Sequence, residues 1–148
     1  MTPPWFVIYV PTGTWSVSAK LVRQISLGLE ELARIREQLL PLIAKTSDPT
    51  LGVLETAAAS AMLHSFYTEI EKTFKLVARE CDGDVPANEA WHRTLLHQMA
   101  APRGSRPAVI TSELMEVLGE FLAFRHLFRG ASIALMRWDK LSPLVAKT

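Results

Sequence analysis

One cysteine, Cys81, is all the thiol chemistry this chain carries. An internal disulfide is thereby excluded, and so is the thiol set of a structural zinc site, which fits a reducing compartment such as the cytoplasm. Charge of one sign is also missing: 16 Lys and Arg stand against 15 Asp and Glu, a formal net charge of +1. Without a global basic field to hold nucleic acid non-specifically, any anion site must be local. No apolar run approaches the roughly 20 residues needed to span a bilayer. The most compact apolar stretch, Trp5-Phe6-Val7-Ile8-Tyr9-Val10, is short, is bracketed by Pro3, Pro4 and Pro11, and has no cation before Lys20. It does not read as a signal peptide. Residues 1–15 read instead as an apolar arm that either packs on a partner subunit, as an added strand, or stays a self-packed or poorly ordered tail.

Motifs of common chemistries are absent too. There is no Walker loop, no glycine-rich strand-to-helix turn, no HExxH pair and no serine nucleophile with an ordered base, so nothing here calls for a cofactor. No repeat, low-complexity tract or alternation long enough to demand a sheet is present either.

What is present is helical periodicity in a chain of ordinary composition, 148 residues with 49% apolar and 21% charged, which suits one domain over residues 16–148. From 16 to about 45, Val17, Leu21, Ile25, Leu29, Leu32, Ile35, Leu39 and Ile43 recur at three- and four-residue steps, the period of a helix with one buried face. Gly28 weakens that helix, and Pro41 should kink or end it. Asp48 and Pro49 suit the cap and first position of a second helix reaching Cys81. Its expected inner face is Leu51, Leu54, Ala58, Ala61, Met62, Phe66, Ile70, Phe74 and Val77, with small residues at 57–61 for close approach. Asp82-Gly83-Asp84-Val85-Pro86 reads as a turn, and Asn88 caps a short helix over 89–100. Thr111 or Ser112 caps a last helix with Glu113 and Glu116 in its first turn, running to about Trp138, with Pro143 stopping anything beyond. The expected architecture is all-α, an up-and-down bundle of four main helices that dimerises, since helices this long leave broad faces to cover.

Three constellations could carry chemistry. On the last helix Leu122, Arg125, Arg129 and Ser132 share one stripe, and His126, Gly130, Ile133 and Arg137 the next, so His126 and Arg129 can face one ligand. The bland reading pairs Arg125 and Arg129 with Glu71, Glu69 or Glu120 and makes His126 an interior side chain. On the second helix Tyr67 and Glu71 sit one turn apart, where Glu71 reads more readily as an arginine holder than as an acid or base. On the short helix His92, Arg93 and His97 have ligand-like spacing, yet no carboxylate or thiol stands beside them. That helix reads as a surface face with Trp91 pointing inward and no metal.

The order Phe66-Tyr67-Thr68-Glu69-Ile70-Glu71-Lys72-Thr73-Phe74, Asp82-Gly83-Asp84-Val85-Pro86, Trp91-His92, Leu95-Leu96, Arg106-Pro107-Ala108-Val109-Ile110 and Phe124-Arg125-His126-Leu127-Phe128-Arg129 resembles the HepT-like branch of the HEPN family, over roughly residues 50–145. The resemblance implies a dimer of helical bundles, a nucleotidyltransferase-type antitoxin as partner, and metal-independent cleavage of RNA in a cleft formed by two copies of the last helix. It places an arginine, here Arg125, to hold charge on phosphorus, and a histidine four to six residues beyond to move the proton of a ribose 2′-hydroxyl. At the histidine position this chain has Gly130, and Ser132 stands where a tyrosine often follows. His126, one turn earlier on the stripe of Gly130 and about 6 Å away along the axis, is the imidazole left to substitute. The expected site is therefore Arg125 and His126 as catalytic residues and Arg125 and Arg129 on RNA phosphate, supported by Tyr67 and Glu71. The competing reading keeps the fold and dimer as a catalytically inactive interaction module.

Overall fold

The computed structural model describes residues 17–130 and 136–148, and the expected N-terminal arm lies outside them. Five α-helices follow in order: α1 Ala19–Ile43, α2 Val53–Val77, α3 Trp91–Ala100, α4 Ser112–Gly130 and α5 Trp138–Val145. The described residues hold no strand, only an isolated bridge between Arg103 and Arg106, and no helix among them is long and apolar enough to cross a membrane. The chain is all-α, as its periodicity requires.

Helix α1 starts where Ser18 Oγ accepts from the Leu21 amide at 3.1 Å, and it buries Leu21, Gly28, Leu32, Ile35 and Leu39. Pro41 does not stop it: the helix continues two residues further, so the proline sits in its final turn, where only one ladder bond is lost. Gly28 does more than weaken the helix. A Cβ built there would lie 2.6 Å from Thr73 Oγ1, so at this glycine α1 approaches α2 too closely for a side chain.

Helix α2 corrects two expectations. Asp48 does not cap it; its carboxylate accepts from the amide and hydroxyl of Thr50 in a separate turn. The helix begins at Val53, and Glu55 reaches back to the Gly52 amide at 2.9 Å. Its first two turns are also rotated from the expected face: Leu54 is 85% exposed and Ala58 and Ala61 face solvent, while Thr56, Ala59 and Ser60 are buried. Burial of these hydroxyls is possible because each is satisfied on its own helix, Thr56 on the Gly52 carbonyl at 2.9 Å and Ser60 on that of Thr56 at 2.8 Å. From Leu63 onward the buried stripe runs through Phe66, Ile70, Phe74 and Val77.

The α-helical pattern stops at Val77, where a π-helical turn, Ala78–Asp82, ends on Gly83 in the left-handed region at φ 65°. Helix α3 begins at Trp91 with Ala90 as its cap residue, so Asn88 does not cap it by its side chain. Thr111 Oγ1 accepts from the Leu114 amide at 3.2 Å to open α4. Met136 and Arg137 are not helical and a new helix begins at Trp138, so the last helix does not run unbroken to that residue. Pro143 lies inside α5, whose Trp138, Leu141, Leu144 and Val145 are buried. Helix α2 is central, packing against each of the other four. Arg36 Nε closes the bundle by donating to the Thr148 backbone oxygen at 3.0 Å.

Candidate functional site

Three helices bring Glu71, His92 and Arg125 together, at 4%, 8% and 9% exposure. Glu71 lies on the buried stripe of α2, His92 is the second residue of α3, and Arg125 follows Leu118, Phe121, Leu122 and Phe124 on the inner face of α4. One carboxylate serves two partners. Glu71 Oε1 is in short contact with His92 Nδ1, and Oε2 lies 3.2 Å from Arg125 Nε. The second contact is an ion pair without an aligned hydrogen bond, since the buried Arg125 Nε–H has no acceptor in line. Arg125 Nη1 in turn lies 3.2 Å from His92 Nε2.

The tautomer of His92 follows from these partners. A guanidinium can only donate, so Nε2 must present its lone pair, and the ring proton sits on Nδ1, donated to Glu71. A neutral imidazole is what burial favours: it pushes the His92 pKa below the usual value, helped by the charges of Arg125 and His126 and opposed by Glu71. Tyr67, one turn before Glu71 and 1% exposed, is held protonated, its phenol pushed up by burial and then by the Glu71 charge, with Arg125 opposing.

The other expected residues face outward. His126, Arg129 and Gly130 are exposed, and the His126 ring meets that of His92 edge-on at 5.5 Å between centroids. Arg125 and His126 therefore border one point of α4, the first beneath the surface and the second on it. Glu69 and Glu120 are engaged by Lys72 and Lys147 rather than by an arginine. Arg137, expected on the same stripe as His126, precedes α5 and pairs with Asp139 at 2.9 Å, and Ser132 and Ile133 lie outside the described residues.

The face of α3 departs from expectation at one residue, His92, since Trp91 packs against the edge of the core and Arg93 and His97 face outward. His92 is buried while Trp91 is half-buried, its ring stacked 3.4 Å from that of His92 and covered on α2's side by Lys75 Nζ at 3.7 Å. Arg93 and His97 are exposed, and among the described residues no three His, Cys, Asp or Glu side chains group to hold a metal.

One further imidazole was not expected. His64 packs its ring 5.0 Å from Phe128, leaves a buried Nδ1 without a partner, and has its pKa lowered by burial and then by the charges of Arg125 and Arg129. It lies two turns before Glu71, and that seven-residue spacing was the only sign in the sequence.

A family profile described as HepT-like protein matches residues 58–148, more than half of the chain. The chain belongs to the HepT-like family of HEPN proteins. No curated protein and no solved structure matches it. The matched stretch of this HepT-like chain contains every residue of the Glu71, His92 and Arg125 cluster together with His64, His126, Arg129 and Gly130, whereas α1 lies outside it.

Proposed function

We propose that this HepT-like chain works in a toxin–antitoxin or defence system as a homodimer whose axial cleft, between two copies of α4, contacts RNA. Arg125 and Arg129 meet phosphate, and the reaction class is metal-independent transesterification at the ribose 2′-hydroxyl, with His126 the imidazole nearest the cleft. The observation that carries this reading is the buried, three-helix setting of Arg125 directly beneath exposed His126. Glu71 and His92 engage Nε and Nη1, leaving Nη2 for a ligand, and a fixed guanidinium can stabilise charge as it develops on phosphorus. The outer face of α4 supports the dimer: Ala123, Leu127 and Gly130 are exposed, and a Cβ at Gly119 or Gly130 would meet nothing within 4 Å. A nucleotidyltransferase-type antitoxin is the proposed partner and the cytoplasm the proposed location, by family membership.

The second reading, a catalytically inactive interaction module on the same fold, is favoured by one feature, Gly130 at the histidine position. RNA cleavage in EDTA by the native chain, His126→Ala and Gly130→His separates the two, with light scattering to report the dimer. The catalytic reading expects native cleavage that His126→Ala abolishes. Native silence with activity gained in Gly130→His would establish the inactive module; silence in all three together with no RNA binding would sink the RNA reading, and a monomer by light scattering would sink the dimer that both readings share.

A further inference from the structure

A guanidinium serves as a phosphate contact only if it faces the ligand in one orientation, and α4 alone does not supply that for Arg125. The neighbouring helices do. We propose that His92 is the positioning residue for Arg125, a neutral imidazole relaying a hydrogen bond between the Glu71 carboxylate and the guanidinium; this rests on reading Arg125 as a phosphate contact. Glu71 by itself does not fix the arginine, because its contact with Arg125 Nε lacks an aligned N–H. The second point of attachment is His92 Nε2, 3.2 Å from Nη1, and two points on different helices set a planar group where one would let it swing.

Packing alone would not need this arrangement. A leucine at position 92 would fill the space between Trp91 and α4 without burying a polar ring, whereas the imidazole is used at both nitrogens. The relay exists in one protonation state only. An imidazolium keeps its Nδ1–H on Glu71 but turns Nε2 into a donor facing the donor of Arg125, with a like charge beside it, and the guanidinium is driven off. The groups that bear on this titration are Glu71 on α2, which favours the proton, and Arg125 and His126 on α4, which oppose it. Lys75 on α2 is held over the indole of Trp91, the ring stacked on His92. The relay therefore holds at neutral pH and opens in acid, below the ordinary imidazole range.

The test combines two readouts on the full chain. Nitrogen-15 NMR of the side chains should show His92 as the Nδ1–H tautomer at neutral pH, and the Arg125 guanidinium signals should shift as His92 titrates. Binding of a single-stranded oligoribonucleotide should fall through the same transition. His92→Gln, which offers a donor and an acceptor but no titration, should keep native affinity at neutral pH and lose that acid limb. His92→Leu, its helix content checked by circular dichroism, should bind RNA more weakly than the native chain at neutral pH and, where the chain cleaves, cleave it about 10²-fold more slowly, the effect of roughly 1 Å of misplacement. An Nε2–H tautomer, Arg125 signals indifferent to the titration, or a leucine variant with native affinity and pH profile would overturn the proposal. Coupled His92 and Arg125 signals in a chain that binds no RNA at any pH would support the relay and overturn the RNA reading above.

Discussion

Arg106 grips Asp82 at two points sealed from solvent, Nε donating to Oδ1 at 2.6 Å and Nη2 to Oδ2 at 2.9 Å, with the two side chains 1% and 0% exposed. Gln98 donates to the same carboxylate at 2.7 Å, and the remaining arginine hydrogens reach the carbonyls of Pro107, Gln98 and Ala101. The pair ties the π-helical turn after α2 to the loop before α4. Removing one partner strands a buried charge. Arg106→Leu is expected to lower the unfolding free energy by about 3–5 kcal/mol, read by urea denaturation, and Asp82→Leu with Arg106→Met should recover most of it.

The same pair has a pH signature. Burial would push the Asp82 carboxyl up, but hydrogen bonds from Arg106 and Gln98 and the arginine's charge outweigh it and hold the group below the usual carboxylate range. A pKa lower in the folded state means that the unfolded state binds more protons. The stabilisation is therefore complete above the unfolded carboxylate pKa and is lost as pH falls through the folded one. Acid denaturation of the native chain should show this loss, and the doubly substituted chain should show a flatter profile over the same window.

Gly28 and Thr73 give a prediction whose sign depends on the background. Alanine in a helix interior is better than glycine by about 1 kcal/mol, yet its Cβ would sit 2.6 Å from Thr73 Oγ1. Overpacking of this kind costs about 1–3 kcal/mol. Gly28→Ala should thus lower the melting temperature in the native chain and raise it when Thr73→Ala has removed the obstacle. Stabilisation in both backgrounds would mean that the two helices do not meet at this glycine.

The sequence displayed the helices because apolar periodicity and caps are local, and Leu32, Ile35 and Leu39 lie inside as their spacing requires. What it hid depends on partners from elsewhere in the chain. Thr56 and Ser60 look polar, yet their hydroxyls are satisfied within α2, and so the helix turns them inward in place of Leu54. His92 looks like a surface residue until Glu71 and Arg125 arrive from other helices, 21 and 33 residues away, to use both its nitrogens. Arg106 and Asp82 belong to segments 24 residues apart, and only the fold joins them. Arg125 stands out in the sequence as a cation on an apolar helix and Glu71 as a carboxylate able to hold it, whereas nothing local marks His92 as the third member of their buried cluster.

The rotated register of α2 is directly testable. Leu54→Glu should change stability by no more than about 0.5 kcal/mol, as surface changes usually do, because Leu54 is 85% exposed. Leu63→Ala, at a fully buried position, should cost about 2–5 kcal/mol. Equal losses in the two variants, measured by chemical denaturation, would return Leu54 to the inner face.

Arg125 and Arg129 lie one turn apart on α4, but their surroundings divide their roles. Arg129 is exposed, so Arg129→Ala should leave stability within about 0.5 kcal/mol. If it meets phosphate, the substitution weakens RNA binding at every sequence and reduces the slope of log affinity against log salt by about 1. Arg125→Ala strands Glu71, which is 4% exposed, and should cost about 3 kcal/mol or more of stability in addition to affinity. Arg125→Ala with Glu71→Gln removes the stranded charge and should restore much of the stability without restoring RNA binding. Stability and affinity returning together in that double variant would make Arg125 a structural ion-pair partner and remove it from the phosphate site.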